Sequence, residues 1–191
     1  QLHVAHSALV NGVGVVAAGP YYCAENSLRH ALGRCMKGDD PIAVDELVSL
    51  TSQLALAGRI DPIANLADDR VWIFHGGADP VVAKPVVDAL QAYYELLVDP
   101  RSVERTDLAA AGHTFPAAAK DLQDCGKTAT PFVGSCGLDG ARQMLEHLAI
   151  RARVGGIGDR AVLGSSLEDE GPSLRAEKLA HQARLAGPER A

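Results

Sequence analysis

Short apolar runs alternate with longer stretches of helical periodicity along the first 150 residues of the chain. Residues 12–19 (GVGVVAAG) and 70–75 (RVWIFH) are short runs of the kind that forms buried strands. Residues 42–57 and 83–97 instead repeat apolar side chains every three or four positions, which predicts amphipathic helices. Strands that alternate with helices are typical of a largely parallel sheet covered by helices on both faces, so we predict an α/β fold.

The alternation continues on either side of these segments. Residues 1–10 and 137–150 have helical spacing, and residues 103–108 (VERTDL) follow a DPRS turn as a short strand. Gly58 stands where the helix over residues 42–57 should end, because glycine often follows the last helical turn.

One domain is expected. A chain of 191 residues, of which 47% are hydrophobic, can bury one core of ordinary size. We predict an α/β domain over residues 1–150. Beyond residue 150 the composition shifts to glycine, serine and charge, followed by a charged stretch rich in alanine and leucine. Residues 151–191 are therefore predicted to be a linker with a surface helix, or a disordered tail.

The charge balance and the hydropathy pattern argue against two classes of partner. With 18 basic and 24 acidic residues the net charge is −6, and no basic stripe interleaved with aromatics is present, so nucleic acid is not expected. No apolar run approaches the roughly 20 residues that span a bilayer, and the N-terminus lacks the features of a signal peptide. We expect no membrane partner, and a soluble chain that is already processed or cut.

Four cysteines fall into two local pairs, Cys23 with Cys35 and Cys125 with Cys136, each enclosing a short loop. Neither spacing is CxxC, which argues against a zinc site. The even count and the local pairing favour two disulfides and an oxidising compartment, although four cysteines allow three connectivities. Four buried free thiols are the alternative, because a free cysteine packs as a small apolar side chain.

Two loops that follow predicted strands carry side chains able to do chemistry. Asp79 comes after the strand at residues 70–75, and His113 comes after the strand at residues 103–108. In an open parallel sheet such loops emerge at one edge, so we expect the two side chains to touch. The carboxylate would accept a hydrogen bond from one ring nitrogen and stabilise the imidazolium that forms when the other nitrogen takes a proton.

Each of these residues also has a simpler interpretation. Asp79 directly precedes Pro80, and this pair suits a helix N-cap followed by proline at the first helical position. His113, taken singly, is equally compatible with a surface histidine that has no task. Capping and catalysis are compatible, because an acid fixed at the start of a helix is well oriented.

The sequence His75-Gly76-Gly77 is similar to loops that supply backbone N–H groups to an oxyanion. Such a loop normally accompanies a GxSxG nucleophile elbow, and the 191 residues contain no GxSxG. Ser135 comes nearest, in VGSCG, but a valine stands where the first glycine belongs. We therefore interpret Gly76 and Gly77 as residues that allow a sharp turn after the strand.

Two further patterns give only weak evidence for a bound dinucleotide or metal ion. Residues 12–17 (GVGVVA) formally match a dinucleotide-binding fingerprint, but the glycines precede a predicted strand instead of opening a helix. His3 and His6 share one face of the first predicted helix, yet no third metal ligand stands nearby. We predict neither a cofactor nor a metal.

Four segments, taken in order, resemble a known family: GVGVVAAGPYYCAEN, VWIFHGGADPVV, TDLAAAGHTFP and CGLDGARQMLEHL. They are similar to the extracellular poly(3-hydroxybutyrate) depolymerases of the α/β-hydrolase superfamily, over about residues 1–150. The resemblance implies an α/β-hydrolase-like sheet and a Ser-His-Asp triad that cleaves a polyester or short-chain esters through an acyl-enzyme. By motif, Asp79 corresponds to the triad acid and His113 to the triad base. The resemblance also implies that both cysteine pairs are disulfides, in a secreted enzyme.

The chain departs from this family in one respect. The serine elbow of the family precedes a helix similar to residues 1–10, so the nucleophile would lie a few residues before Gln1, and we expect a fragment that holds only the acid and the base. Tyr21 and Tyr22 would line the acyl site or pack in the core. The alternatives are a non-catalytic fragment or pseudoenzyme that serves as a binding or structural element, and a feruloyl or acetyl-xylan esterase. The oligomeric state is not predicted.

Overall fold

The computed structural model describes residues 1–155. Its α-helices are α1 (Leu2–Ala5), α2 (Leu28–Leu32), α3 (Val44–Leu56), α4 (Lys84–Glu95) and α5 (Gly140–Gly155). Its strands are β1 (Gly12–Val16), β2 (Arg70–Gly76), β3 (Val103–Leu108), β4 (Phe115–Ala117), β5 (Gln123–Asp124) and β6 (Val133–Ser135). Two short 3-10 helices cover Ile63–Asp68 and Pro100–Ser102. The helices and strands predicted over residues 1–150 are present, although α1 is shorter than the ten residues predicted for it.

The central sheet contains three strands in the order β1-β2-β3, and both pairs are parallel. Val71 of β2 lies opposite Val13 of β1 on one side and opposite Val103 of β3 on the other. Parallel neighbours need a crossover connection, and the segments that contain α3 and α4 supply the two crossovers. The carboxyl ends of β2 and β3 therefore lie side by side.

Strand β2 is buried on both faces from Val71 onward, which explains the unbroken apolar run from Val71 to Phe74. Successive side chains of a strand alternate between faces. Val71 and Ile73 belong to the larger core, whereas Trp72 and Phe74 belong to a second cluster that includes Met144 of α5. The larger core also contains side chains of α3 and α4, namely Leu47, Val48, Val86, Val87, Leu90, Tyr93 and Tyr94. The predicted α/β architecture, with helices on both faces, is confirmed.

Glycines in β1 allow α5 to pack closely on the sheet. Gly12 and Gly14 lie inside the strand, whereas the sequence suggested that they precede it. A Cβ atom on Gly14 would overlap the side chain of Met144, and a Cβ atom on Gly12 would lie 3.2 Å from Cδ2 of Leu148. The close packing of α5 on the sheet explains why glycines stand at these two positions, and a dinucleotide-binding motif is not needed to explain them.

A second, smaller sheet has the order β4-β6-β5, and nothing in the sequence predicted it. Its strands have only two or three residues each, which is too short for a periodicity to show. Gly134 of β6 lies opposite Pro116 of β4 and Gln123 of β5. The chain around this sheet returns to the edge of the central sheet, where the amide of Gly112 donates to the carbonyl of Cys125 at 2.9 Å.

Both cysteine pairs form disulfides. The Cα atoms of Cys23 and Cys35 lie 6.0 Å apart, and those of Cys125 and Cys136 lie 4.8 Å apart. Cys23 is buried in the larger core, whereas Cys125 and Cys136 pack against the cluster that contains Trp72. Each bond therefore ties a loop to a different side of the sheet.

Replacing Cys125 and Cys136 together by alanine is expected to lower the free energy of unfolding by about 2 to 4 kcal/mol, because the unfolded chain gains loop entropy. The corresponding change at Cys23 and Cys35 should cost a similar amount, since the sequence separations are 11 and 12 residues. Denaturant unfolding without reductant measures both losses, and reductant should remove most of the difference from the unmodified protein. Losses below about 1 kcal/mol in both variants would contradict a stabilising role.

The observed ends of α3 and α5 can be compared with the helix end and the domain boundary predicted from the sequence. Gly58 follows α3 with φ at 66°, in the left-handed region that favours glycine. Helix α5 runs to Gly155 and so crosses the boundary predicted at residue 150. The rest of the predicted tail, residues 156–191, lies outside the described residues. Within residues 1–155, no helix is both long enough and apolar enough to cross a membrane.

Candidate active site

Asp79 and His113 meet at the carboxyl edge of the central sheet. Asp79 lies in the loop after β2, and His113 lies in the loop after β3, the neighbouring parallel strand. The Nδ1 atom of His113 is 2.8 Å from Oδ2 of Asp79. The Asp79 side chain is 0% exposed and the His113 side chain is 30% exposed. The structure thus brings together the two side chains that strand order predicted to touch, with the carboxylate inside and the ring at the surface.

The second carboxylate oxygen of Asp79 is held by the backbone. Oδ1 accepts hydrogen bonds from the amides of Val81 at 2.7 Å and Val82 at 2.9 Å. The interpretation of Asp79 as the N-cap of a helix that begins at Pro80 was wrong, because α4 begins only at Lys84. The side chain closes a turn with the same kind of oxygen-to-amide bonds that a helix cap uses, which is why the sequence signals look alike.

His113 is fixed by its backbone as well as by its ring. Its amide donates to Oγ1 of Thr128 at 2.9 Å. The ring of Phe132 lies edge-on to the imidazole, with centroids 6.0 Å apart and planes at 81°. With hydrogen on Nδ1 facing Asp79, the Nε2 atom of a neutral ring has a free electron pair. Among residues 1–155 no hydrogen bond to Nε2 is found. The arrangement suits a base whose tautomer is set by a carboxylate.

Two glycines allow the loops after β2 and β3 to approach each other. A Cβ atom on Gly76 would overlap the carbonyl oxygens of Ala111 and Gly112. A Cβ atom on Gly77 would lie 2.8 Å from the Cα atom of Ala109. A turn does follow β2, as the sequence indicated, and close contact between backbones is the further reason for glycine there.

The amides of Gly77 and Ala78 are not available to an oxyanion. Gly77 donates to the carbonyl of Leu108 and Ala78 donates to the carbonyl of Ala111, each at 2.9 Å. An oxyanion hole needs N–H groups that are aimed at the reacting atom and not at other carbonyls. The loop therefore joins the two strand ends, in agreement with the interpretation favoured from the sequence.

The remaining polar candidates hold the structure together. Ser135 donates to the carbonyl of Ala119 at 2.6 Å. His3 is 2% exposed, and its Nε2 atom lies 3.0 Å from Oδ2 of Asp69. His6 is exposed, so the two N-terminal histidines do not converge on one site. Over the described residues, no group of three or more histidine, cysteine or carboxylate side chains could hold a metal ion.

Tyr21 packs against the larger core and lines a cavity of about 560 Å³. Neither Asp79 nor His113 lines this cavity. Burial, and after it the neighbouring hydroxyl of Tyr22, raises the pKa of Tyr21. The hydroxyl of Tyr22 accepts a hydrogen bond from Nδ2 of Asn26 at 2.7 Å. Tyr21 therefore packs against the core, and a role of either tyrosine in an acyl site stays a prediction.

Sequence reasoning missed two neighbours of His113, Thr128 and Phe132, which lie in the loop between β5 and β6 of the smaller sheet. Phe132 is 44% exposed and has φ at 59°, a backbone conformation that bulky residues rarely adopt. The sequence carries no signal for either residue, because both reach His113 only through the fold of short strands that have no periodicity.

The chain is similar in sequence to two curated proteins, while no protein-family model matches it. A poly(3-hydroxybutyrate) depolymerase of Delftia acidovorans is 43% identical over 150 residues, which are 78% of this chain and 30% of that protein. A polyhydroxybutyrate depolymerase of Talaromyces funiculosus is 29% identical over 151 residues, which are 78% of this chain and 43% of that protein. The chain therefore spans less than half the length of these relatives.

Two solved structures have a similar fold. One is a PHB depolymerase from Penicillium funiculosum, and the other is a PHB depolymerase with a serine-to-alanine change, complexed with an R3HB trimer. For each, the TM-score is 0.70 and the identity 26%, over 86% of this chain and 49% of the solved chain. The resemblance stated from the sequence is confirmed: the chain has an incomplete α/β-hydrolase-like fold and is related to part of the PHB depolymerases.

Proposed function

We propose that this chain is part of a carboxylic ester hydrolase of the poly(3-hydroxybutyrate) depolymerase type, in which Asp79 and His113 are the acid and base of a Ser-His-Asp triad. The observation that carries the proposal is the 2.8 Å contact between the buried carboxylate and the partly exposed ring at the carboxyl edge of parallel strands. The similarity to depolymerases supports the same chemistry. The serine would come from a segment outside the 191 residues, which contain no GxSxG.

The proposed mechanism follows from the Nε2 atom of His113, for which no hydrogen bond is found within residues 1–155. In the complete enzyme, the serine hydroxyl would give its proton to Nε2 while its oxygen bonds to the ester carbonyl carbon. His113 would return that proton to the leaving alkoxide as the ester bond breaks. The same nitrogen would then take a proton from the water that attacks the acyl-enzyme, and it would give that proton to the serine oxygen as the acyl-enzyme bond breaks. Asp79 keeps hydrogen on Nδ1 and stabilises the imidazolium in both steps.

A polyester of 3-hydroxybutyrate is the proposed substrate. Two related proteins are named for this polymer, and one solved relative is complexed with an R3HB trimer. Phe132 places an exposed apolar ring beside the proposed base. A methyl-bearing ester unit bound at His113 would pack against that ring and bury apolar surface.

The complete gene product is expected to release 3-hydroxybutyrate from a polymer film at least about tenfold faster than it releases ferulate or acetate from xylan esters, because pocket contacts discriminate between acyl groups. Chromatography of the soluble products under identical conditions measures the three rates. Faster release of ferulate or acetate would favour a feruloyl or acetyl-xylan esterase that uses the same triad. A heat-denatured sample controls for spontaneous hydrolysis.

The non-catalytic alternative rests on the absence of a GxSxG nucleophile from these 191 residues. The encoded sequence upstream of Gln1 separates the two functions. A GxSxG within a few residues of that position favours the ester hydrolase, whereas a gene without one favours a binding or structural role.

Secretion is the proposed localisation. Two disulfides join residues that are close in sequence, and such bonds form and persist in oxidising compartments. Mass spectrometry of a non-reduced digest of protein purified from the culture medium tests the proposal. Free thiols, or a protein retained in the cytosol, would contradict it.

A further inference from the structure

His75 lies between the proposed site and a group of surface charges, and the triad gives it no role. The residue is 3% exposed. Its Nε2 atom lies 3.3 Å from the carbonyl oxygen of Val82, and its Nδ1 atom lies 3.3 Å from Oδ1 of Asp107. Both neighbours are acceptors, and a ring nitrogen that carries hydrogen donates to the acceptor that it faces. The ring therefore links the loop after β2 to the end of β3.

Val82 connects His75 to the proposed acid. Its carbonyl accepts from His75, and its amide donates to Oδ1 of Asp79 at 2.9 Å. The amide of Val81 donates to the same oxygen at 2.7 Å. These two amides leave Oδ2 facing His113. A displacement of Val82 would therefore rotate the carboxylate away from the imidazole.

The other partner of His75 is fixed by an arginine. Nη2 and Nε of Arg105 donate to Oδ1 of Asp107 at 2.9 and 3.1 Å, and Nη1 donates to Oδ1 of Asp88 at 2.8 Å. Partial burial alone would lower the pKa of Arg105, but the hydrogen bonds to Asp107 and Asp88 outweigh it and raise that pKa. The charged guanidinium holds the Asp107 carboxylate where it meets His75.

We propose that His75 is a positioning residue: anchored by Asp107, it holds the Val81 and Val82 amides against the Asp79 carboxylate and so keeps that carboxylate aimed at His113. This inference rests on the proposed ester hydrolysis for its kinetic effect. The conformation of the loop can be measured without any activity, so the two proposals can fail separately.

Replacing His75 by glutamine in the complete gene product is expected to lower kcat for p-nitrophenyl butyrate by about 10- to 100-fold, with KM changed by less than about twofold, because a misplaced catalytic group costs rate more than binding. Asp107→Ala removes the carboxylate that anchors His75, at a position that is half-exposed. This variant should lower kcat by about three- to tenfold, again with little change in KM. This second variant keeps the test informative if the buried substitution impairs folding.

Asp88→Ala is the matched control. Asp88 also pairs with Arg105 and its side chain is 45% exposed, against 47% for Asp107, but among the described residues no contact between Asp88 and His75 is found. The kcat of the Asp88→Ala variant should equal that of the unmodified enzyme. An equal loss in the Asp88 and Asp107 variants would overturn the proposal, because loss of any Arg105 ion pair would then explain the effect.

Hydrogen exchange read by mass spectrometry separates positioning from a general loss of stability. Peptides over residues 79–83 should exchange faster in the His75 and Asp107 variants, whereas peptides from β1 should keep their rates. Faster exchange throughout the protein, or unchanged exchange over residues 79–83, would overturn the proposal. If the unmodified enzyme is inactive and yet the variants show the local change, ester hydrolysis is refuted while the link from His75 to the loop stands.

Discussion

Replacing His113 by alanine in the complete gene product is expected to lower kcat/KM for p-nitrophenyl butyrate by about 10⁶-fold, the scale of removing the base from a serine triad. In the proposed mechanism, without the ring no group would take the proton from the serine hydroxyl, and none would return it to the leaving alkoxide. The loss should appear mainly in kcat, because the ring interacts most strongly with the transition state. Release of p-nitrophenol over a range of substrate concentrations separates kcat from KM.

His30→Ala provides a control for the loss of a histidine ring. The His30 side chain is 38% exposed, against 30% for His113, and its Nδ1 atom also lies near a carboxylate, at 3.6 Å from Glu25. This variant should keep full activity, because His30 lies in α2 and, among the described residues, no contact between His30 and Asp79 or His113 is found. Thermal unfolding verifies that both variants are folded. A folded His113 variant that retains activity would remove His113 from the mechanism.

The pairing of Asp79 with His113 could be predicted because it depends only on chain order and strand direction. Two apolar runs with one helix between them imply neighbouring parallel strands, and parallel strands place their following loops at one edge. The structure has this arrangement, with β2 next to β3. Neither side-chain packing nor exact register was needed for that step.

The contacts that orient Asp79 could not be predicted, because they depend on register. His75 meets Asp107 since these two residues lie directly opposite each other in the β2–β3 pair. Hydrophobic patterning fixes register where one face is apolar and the other polar, but β2 is buried on both faces and gives no such signal. A shift of one residue would look equally apolar and would separate His75 from Asp107.

The interpretation of Asp79 and Pro80 as the start of a helix was wrong for a different reason. An aspartate whose oxygen accepts hydrogen bonds from the amides two and three residues later closes a turn as readily as it starts a helix, and proline suits both. Whether a turn or a helix forms after Asp79 is decided by contacts with residues elsewhere in the chain. The carbonyl of Val82 bonds to His75 and the amide of Ala83 donates to Met36, so this backbone is committed to tertiary partners before α4 begins.

Replacing Asp79 by asparagine is expected to lower kcat by about 10⁴-fold with the fold intact, because the amide has the shape of the carboxylate but not its charge. The amides of Val81 and Val82 both donate to one side-chain oxygen, so they would hold the asparagine oxygen in that place. The NH₂ group would then face Nδ1 of His113. A donor at Nδ1 favours the neutral tautomer with hydrogen on Nε2, which cannot accept the serine proton.

Asp99→Asn is the control for this change, because Oδ1 of Asp99 accepts the amide of Arg101 at 3.0 Å and an asparagine oxygen can do the same. Its kcat should be unchanged, and thermal unfolding should show both variants folded. A loss of about tenfold or less in folded Asp79→Asn protein would contradict the proposed role, since productive tautomers would then form without the carboxylate. The mechanism also requires that His75→Gln lose less kcat than Asp79→Asn, because Asp79 would act on the ring directly and His75 would act only through Asp79.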